Sequence, residues 1–171
     1  YYPDAEVFLR VKPKFSNARI QLSNKFGATP EEVHHLLDIT KELKANFIGI
    51  SFHVGSYCDC MTTFEVALQY ASELREYAHK IGLNVSFIDI GGGFLNTTAK
   101  SHYSFEEIAS TIKKAIGKYF PEKSVQLTAE PGRFIGSEYM DLYLPVICNK
   151  CVERTDGSIT QCIFIPDGIY G

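Results

Sequence analysis

The sequence predicts an α/β fold, the C-terminal part of a (β/α)8 TIM-like barrel followed by the start of a β-domain. Three observations carry this reading. Apolar runs of strand length alternate with longer segments in which apolar residues recur at three- and four-residue steps, a pattern that builds a parallel sheet with right-handed crossovers. Three of the runs stop at short polar motifs: His53-Val54-Gly55-Ser56, Gly91-Gly92-Gly93-Phe94 and Glu130-Pro131-Gly132-Arg133. All three should therefore emerge where parallel strands end and where such sheets bind ligands. Beyond Arg133 the alternation gives way to a hairpin pattern. Four strand units within residues 1–140 are too few to close an eight-stranded barrel, which takes about 250 residues. A partial barrel over 1–140 and the beginning of a β-rich region over 141–171 is the expected division.

The first strand is Glu6–Val11, and Lys12–Gly27 reads as irregular and polar. Thr29-Pro30-Glu31-Glu32 starts a helix, with Thr at the cap, Pro at the first helical position and Glu completing a capping box. Its apolar face is Val33, Leu36, Leu37, Thr40 and Leu43. Phe47–Val54 is a buried strand, apolar apart from Ser51 and His53. Phe64, Ala67, Leu68, Ala71, Leu74 and Ala78 mark a second helix that ends near Gly82. The strand Val85–Ile90 leads into the triple glycine. Ser104-Phe105-Glu106-Glu107 opens a third helix, with Phe105, Ile108, Ala109, Ile112, Ala115, Ile116 and Tyr119 on its face and Pro121 as its stop. Val125–Glu130 is the next strand. Asp141–Glu153 and Ser158–Ile165 read as two strands joined by a Thr155-Asp156-Gly157 turn.

The composition is that of an ordinary globular protein: 171 residues, 45% hydrophobic, 22% charged, with a formal net charge of −3. It carries no polybasic patch for nucleic acid or an anionic membrane and no apolar run long enough to span a bilayer. No signal peptide is recognisable; a cytoplasmic location is expected. The chain starts at Tyr1 and stops inside Asp167-Gly168-Ile169-Tyr170-Gly171, so it is expected to be an internal piece of a longer polypeptide. Cys58, Cys60, Cys148, Cys151 and Cys162 are an odd number. The one-residue spacer of Cys58 and Cys60 does not suit zinc, and reduced, structural thiols with no bound metal are expected.

The three motifs supply an imidazole, a hydroxyl, a stretch of bare backbone N–H groups, a carboxylate and a guanidinium. That set suits a flat, phosphorylated, nitrogen-containing ring. Gly91-Gly92-Gly93 is neither a dinucleotide fingerprint nor a Walker loop. Without Cβ atoms its N–H groups can approach an anion closely, although a tight strand–helix turn would use glycine equally well. Arg133 can fork to a phosphate or make an ordinary ion pair. Glu130 is either that salt-bridge partner or a partner for a heterocyclic nitrogen. His53 is placed to stack under a flat ligand, or else is a satisfied core histidine. His34, His35 and His79 read as solvated.

Phe-His-Val-Gly-Ser, Asp-Ile-Gly-Gly-Gly-Phe and Ala-Glu-Pro-Gly-Arg-Phe, in this order, resemble the pyridoxal-phosphate decarboxylases with an alanine-racemase-like barrel, and among them the eukaryotic ornithine-decarboxylating branch. Phe8-Leu9-Arg10, Lys25-Phe26-Gly27-Ala28, Tyr119-Phe120-Pro121 and Asp167–Gly171 extend the resemblance over essentially the whole chain. It implies pyridoxal phosphate as cofactor, with His53 stacked on its ring, Ser56, Gly91, Gly92, Gly93 and Arg133 on its phosphate, and Glu130 at its pyridine nitrogen. Pro131 and Gly132 complete the last motif, and Arg10 matches an arginine near the cofactor. Lys25 matches a lysine of a homodimer interface. The same resemblance places the cofactor-bearing lysine upstream of this chain and the proton-donor cysteine and substrate-binding aspartates downstream, so no catalytic residue is expected within it. Ornithine is the implied substrate, with lysine, arginine and diaminopimelate as the other substrates of the family. A catalytically inactive relative similar to the antizyme inhibitors, engaging an antizyme-type regulator, is the other class; such relatives depart from Glu-Pro-Gly-Arg, which is intact here. One departure stands out: Tyr57 occupies a position where the family usually has glycine.

Overall fold

The computed structural model describes residues 4–95, 102–121, 125–137, 139 and 141–168. The expected boundary at Met140 and the terminal Ile169–Gly171 lie outside the described residues. The chain divides into two compact units, Tyr1–Ser137 and Glu138–Gly171.

In chain order the first unit contains β1 (Val7–Val11), β2 (Ala18–Ile20), a 3-10 turn (Leu22–Asn24), α1 (Pro30–Glu42), β3 (Phe47–Phe52), β4 (Ser56–Cys58), α2 (Met61–Lys80), β5 (Phe87–Asp89), α3 (Phe105–Tyr119), β6 (Gln126–Thr128) and the short α4 (Gly132–Gly136). Its main sheet is parallel, in the order β1-β3-β5-β6. Each successive strand therefore lies beside the one before, as in a barrel wall; a doubly wound sheet would reverse direction somewhere. The register aligns Ile50 with Leu9 on one side and Ile88 on the other, and Ile88 with Leu127.

The helices begin where their capping chemistry places them. Glu32 accepts the N–H of Thr29 at 2.9 Å, with Pro30 at the first helical position. In α3 the capping box is reciprocal: Glu107 N–H donates to Ser104 Oγ at 3.2 Å, and Ser104 N–H donates to Glu107 Oε2 at 2.8 Å. The core lies between the sheet and α2 and α3, around Ile50, Phe64, Leu68, Leu74, Ile88 and Ile108, all fully buried. Burying side chains of this size contributes about 1.5–3 kcal/mol each. Leu43, expected on the buried face of α1, is 74% exposed, because the helix ends at Glu42 and Leu43 serves as its C-cap.

Lys12–Gly27 is more ordered than its polar composition indicates. Ala18 and Ile20 pair antiparallel with Cys58 and Ser56, and Ser16 Oγ donates to the Val54 carbonyl at 2.5 Å. Together these tie the segment to the end of β3.

In the second unit β7 (Cys148–Glu153) pairs antiparallel with β8 (Ile159–Phe164). The hairpin expected there is present, but its first strand starts at Cys148 rather than Asp141. Asp141–Ile147 has no regular structure, and Pro145, which lacks a backbone donor, accounts for the late start. The turn has Gly157 at φ +80, and Asp156 accepts both the N–H (2.9 Å) and the hydroxyl (2.6 Å) of Ser158.

Candidate functional site

A polar row crosses the main sheet at its carboxyl end: Arg10 on β1, Ser51 on β3, Asp89 on β5 and Thr128 on β6 lie in register. His53 follows one step beyond. Its Nδ1 accepts the Gly55 N–H at 2.9 Å, so the neutral ring carries its proton on Nε2. Burial holds the imidazole below its ordinary pKa, the nearby Arg10 charge adds to this, and Asp89 works against it. His53 is therefore a neutral, half-buried plate at the strand end.

The glycine loop is pressed onto its neighbours. Asp89 Oδ1 accepts the Gly91 N–H at 2.8 Å and secures Gly91 at φ +61. A Cβ at Gly92 would stand 2.6 Å from the Glu130 carbonyl oxygen and 3.1 Å from His53 Nε2. One at Gly93 would stand 2.3 Å from the Gly55 carbonyl oxygen. Glu130 N–H donates to Gly91 O at 2.8 Å, and Cys58 N–H to Gly93 O at 3.2 Å. The loop is thus bracketed from both sides by the other two motifs. The N–H groups of Gly92 and Gly93 have no acceptor among the described residues. Lack of side chains lets the loop lie this close to its neighbours, and backbone N–H groups without an acceptor are suited to receive an anion such as a phosphate.

Pro131, with φ −76 and ψ 57, forms a tight turn in which Gly132 N–H donates to the Glu130 carbonyl at 2.8 Å. This turn sends the chain into α4, which carries Arg133. A run of rings then fixes both segments: Phe64 stacks on Phe94 at 5.3 Å, Phe94 meets Phe105 edge-on at 6.1 Å, and Phe105 stacks on Phe134 at 4.5 Å. The glycine loop and α4 are anchored through Phe94 and Phe134 to the same aromatic stack.

The ion pair between Glu130 and Arg133, one of the two readings of these residues, is not formed among the described residues. Glu130 is exposed, and the Arg133 guanidinium lies 5.1 Å from the centroid of the Tyr57 ring. Tyr57 itself has φ +57, a conformation that costs a residue with a Cβ about 1–2 kcal/mol. Its neighbour Ser56 is nearly buried. At the β1 end, Arg10 lies 5.2 Å from the Phe26 ring and Lys25 lies 5.5 Å from it, so both cations share one aromatic partner.

The role of Asp89 and one contact of the site escaped the sequence reading. Asp89 had a signal, a carboxylate inside the apolar run Val85–Ile90. The contact between Tyr57 and Arg133 had none, since 76 positions separate them. Cys58 is fully buried, and burial pushes its thiol pKa up, which suits a structural thiol rather than a nucleophile. Among the described residues no group of three or more His, Cys, Asp or Glu is placed to hold a metal ion, and no helix is long and apolar enough to cross a membrane.

The chain is similar to Antizyme inhibitor 2 of Xenopus laevis, at 38% identity over 99% of the chain and 39% of that protein. It is similar to ornithine decarboxylase of Mus musculus, at 37% identity over 99% of the chain and 39% of that protein. Among solved structures, the arginine decarboxylase of Paramecium bursaria Chlorella virus superposes with a TM-score of 0.75 at 37% identity, covering 88% of this chain and 40% of that one. The chain thus spans about two-fifths of the length of the curated relatives it matches. Residues 1–137 match the family model described as "Pyridoxal-dependent decarboxylase, pyridoxal binding domain". On this match and on the barrel-wall topology, the chain belongs to the pyridoxal-dependent decarboxylases, its residues 1–137 matching their pyridoxal-binding domain.

Proposed function

We propose that the full-length protein is a pyridoxal-phosphate-dependent amino-acid decarboxylase that converts ornithine to putrescine for polyamine biosynthesis. It would work in the cytoplasm as a homodimer with Lys25 near its interface. When bound, pyridoxal phosphate supplies the electron sink for loss of CO2 from an amino acid. The observation that carries the reading is a set of N–H groups on Gly92 and Gly93 with no acceptor among the described residues, in a loop bonded to the strand that holds Ser56, together with an arginine that lies against Tyr57 of that strand and has no carboxylate partner among the described residues. Ser56, the Gly91–Gly93 loop and Arg133 hold the phosphate, and Pro131 and Gly132 set the turn that delivers Arg133. His53, neutral and in contact range of the glycine loop, lies against the cofactor ring. Glu130 faces its ring nitrogen and stabilises a proton there, while Arg10 holds the charge balance around His53. Residues 1–140 belong to the barrel and 141–171 open the β-rich domain.

The test uses the full-length protein. Arg133→Ala should weaken pyridoxal phosphate binding about ten- to a hundredfold, the loss of one charge-assisted contact; unchanged titration would remove Arg133 from the phosphate site. Product analysis with ornithine, lysine, arginine and diaminopimelate then assigns the substrate. A second reading, a catalytically inactive regulator resembling the antizyme inhibitors, is favoured by the similarity to Antizyme inhibitor 2. The intact Glu130-Pro131-Gly132-Arg133 motif supports the enzyme. Tight binding of an antizyme-type protein with no CO2 release from any of the four amino acids would decide for the regulator.

A further inference from the structure

We propose that Tyr57 is the positioning residue for Arg133, holding its guanidinium ready for an anion on the face of the phenol ring; this rests on the phosphate reading of the site given above. The first argument is electrostatic. A carboxylate would order an arginine side chain by pairing with it, but would then compete with an incoming phosphate for the same N–H groups. The negative face of an aromatic ring attracts the cation without neutralising it. Unlike a carboxylate, the ring takes up none of the guanidinium N–H groups in an ion pair, which leaves them open for a two-pronged contact with an anion. At 5.1 Å from the ring centroid, Arg133 is within range of that attraction, and among the described residues it pairs with no acid.

The second argument is where the ring sits. Tyr57 lies in β4 between Ser56 and Cys58, and the Cys58 N–H is bonded to Gly93 O at 3.2 Å. The same three-residue strand therefore carries the hydroxyl, grips the glycine loop and presents the ring to Arg133. Helix α4 is only five residues long, so its own hydrogen bonds do little to fix the direction of a long side chain. The third argument is the backbone. At φ +57 glycine would be the comfortable residue, so a turn alone does not account for tyrosine; the contact made by its ring does.

The experiment titrates the full-length protein with pyridoxal phosphate, and in parallel with pyridoxal, which lacks the phosphate. Tyr57→Phe keeps the ring and should bind pyridoxal phosphate within about twofold of wild type. Tyr57→Gly removes the ring and relaxes the backbone. It should bind about three- to tenfold more weakly, while its unfolding midpoint stays equal or rises and its affinity for pyridoxal is unchanged. In an Arg133→Ala background, Tyr57→Gly should cause no further loss. Wild-type affinity in Tyr57→Gly, equal losses in Tyr57→Phe and Tyr57→Gly, or full additivity with Arg133→Ala would each overturn the proposal. The two levels separate cleanly: if Arg133→Ala binds normally, the phosphate reading itself falls. If Arg133→Ala weakens binding and Tyr57→Gly does not, only the role of Tyr57 falls.

Discussion

A methyl group at Gly93 should cost the full-length protein about 2–5 kcal/mol of stability, combining backbone strain with overpacking. The strain arises because Gly93 has φ +104, which charges a residue with a Cβ about 1–2 kcal/mol. The overpacking arises because the new Cβ would stand 2.3 Å from the Gly55 carbonyl oxygen and 2.8 Å from Val54 Cγ2. Forcing such an overlap open costs about 1–3 kcal/mol. The Gly55 segment has little room to retreat. Gly55 is itself at φ +101, and a Cβ placed on it would meet Ala18 Cβ at 2.5 Å and Ile20 O at 2.6 Å. Urea unfolding of Gly93→Ala in the full-length protein measures the loss, with Gly117→Ala as the matched control. Gly117 lies in α3 with nothing within 4 Å of its Cβ position, so that change should instead stabilise by about 0.5–1 kcal/mol. A Gly93→Ala protein that unfolds at the same urea concentration as wild type would refute the account of a loop clamped between the strand ends.

Glu130→Gln removes a charge while keeping the shape, so turnover should fall more than cofactor affinity, because the charge matters most as negative charge develops in the transition state; equal kcat in the variant would reduce Glu130 to a structural residue. The His53 imidazole has its pKa lowered by burial and by Arg10, so the unfolded chain takes up this proton first as pH falls. The stability tied to the neutral ring is complete above about pH 6.5 and is lost as pH falls through the folded-state value. His53→Gln should flatten that acid limb in a urea-midpoint series between about pH 5 and 7, and an unchanged slope would show that other groups set it.

Much of the architecture was legible because its signals are local. The caps at Thr29 and Ser104 and the spacing of Phe64, Leu68, Ala71 and Leu74 each sit within three helical turns, and the helices follow them. The pairing of Ala18–Ile20 with Ser56–Cys58 was not legible, since each partner is only three residues long and the bonds that align them join segments far apart in sequence. The glycine, histidine and arginine motifs announced the site through residue type. What they could not convey is which groups pair. Type alone left open whether Glu130 would pair with Arg133, whereas the chain places Tyr57 against the guanidinium and directs the Asp89 carboxylate to Gly91.

The ordered wall of the sheet also bears on how the chain folds. Leu9, Ile50, Ile88 and Leu127 are partners in one register row, and neighbours in that row are 41, 38 and 39 residues apart along the chain. Closing a loop costs an entropy that grows only as the logarithm of its length, so these three closures differ by about 0.1 kcal/mol or less. Chain entropy is therefore indifferent to which β-α-β unit assembles first. The choice falls to apolar burial, and the unit that joins β3 to β5 through α2 holds Ile50, Phe64, Leu68, Leu74 and Ile88, all essentially inaccessible to water. Folding should begin in that middle unit, with β1 and β6 added to either side of an already formed ribbon.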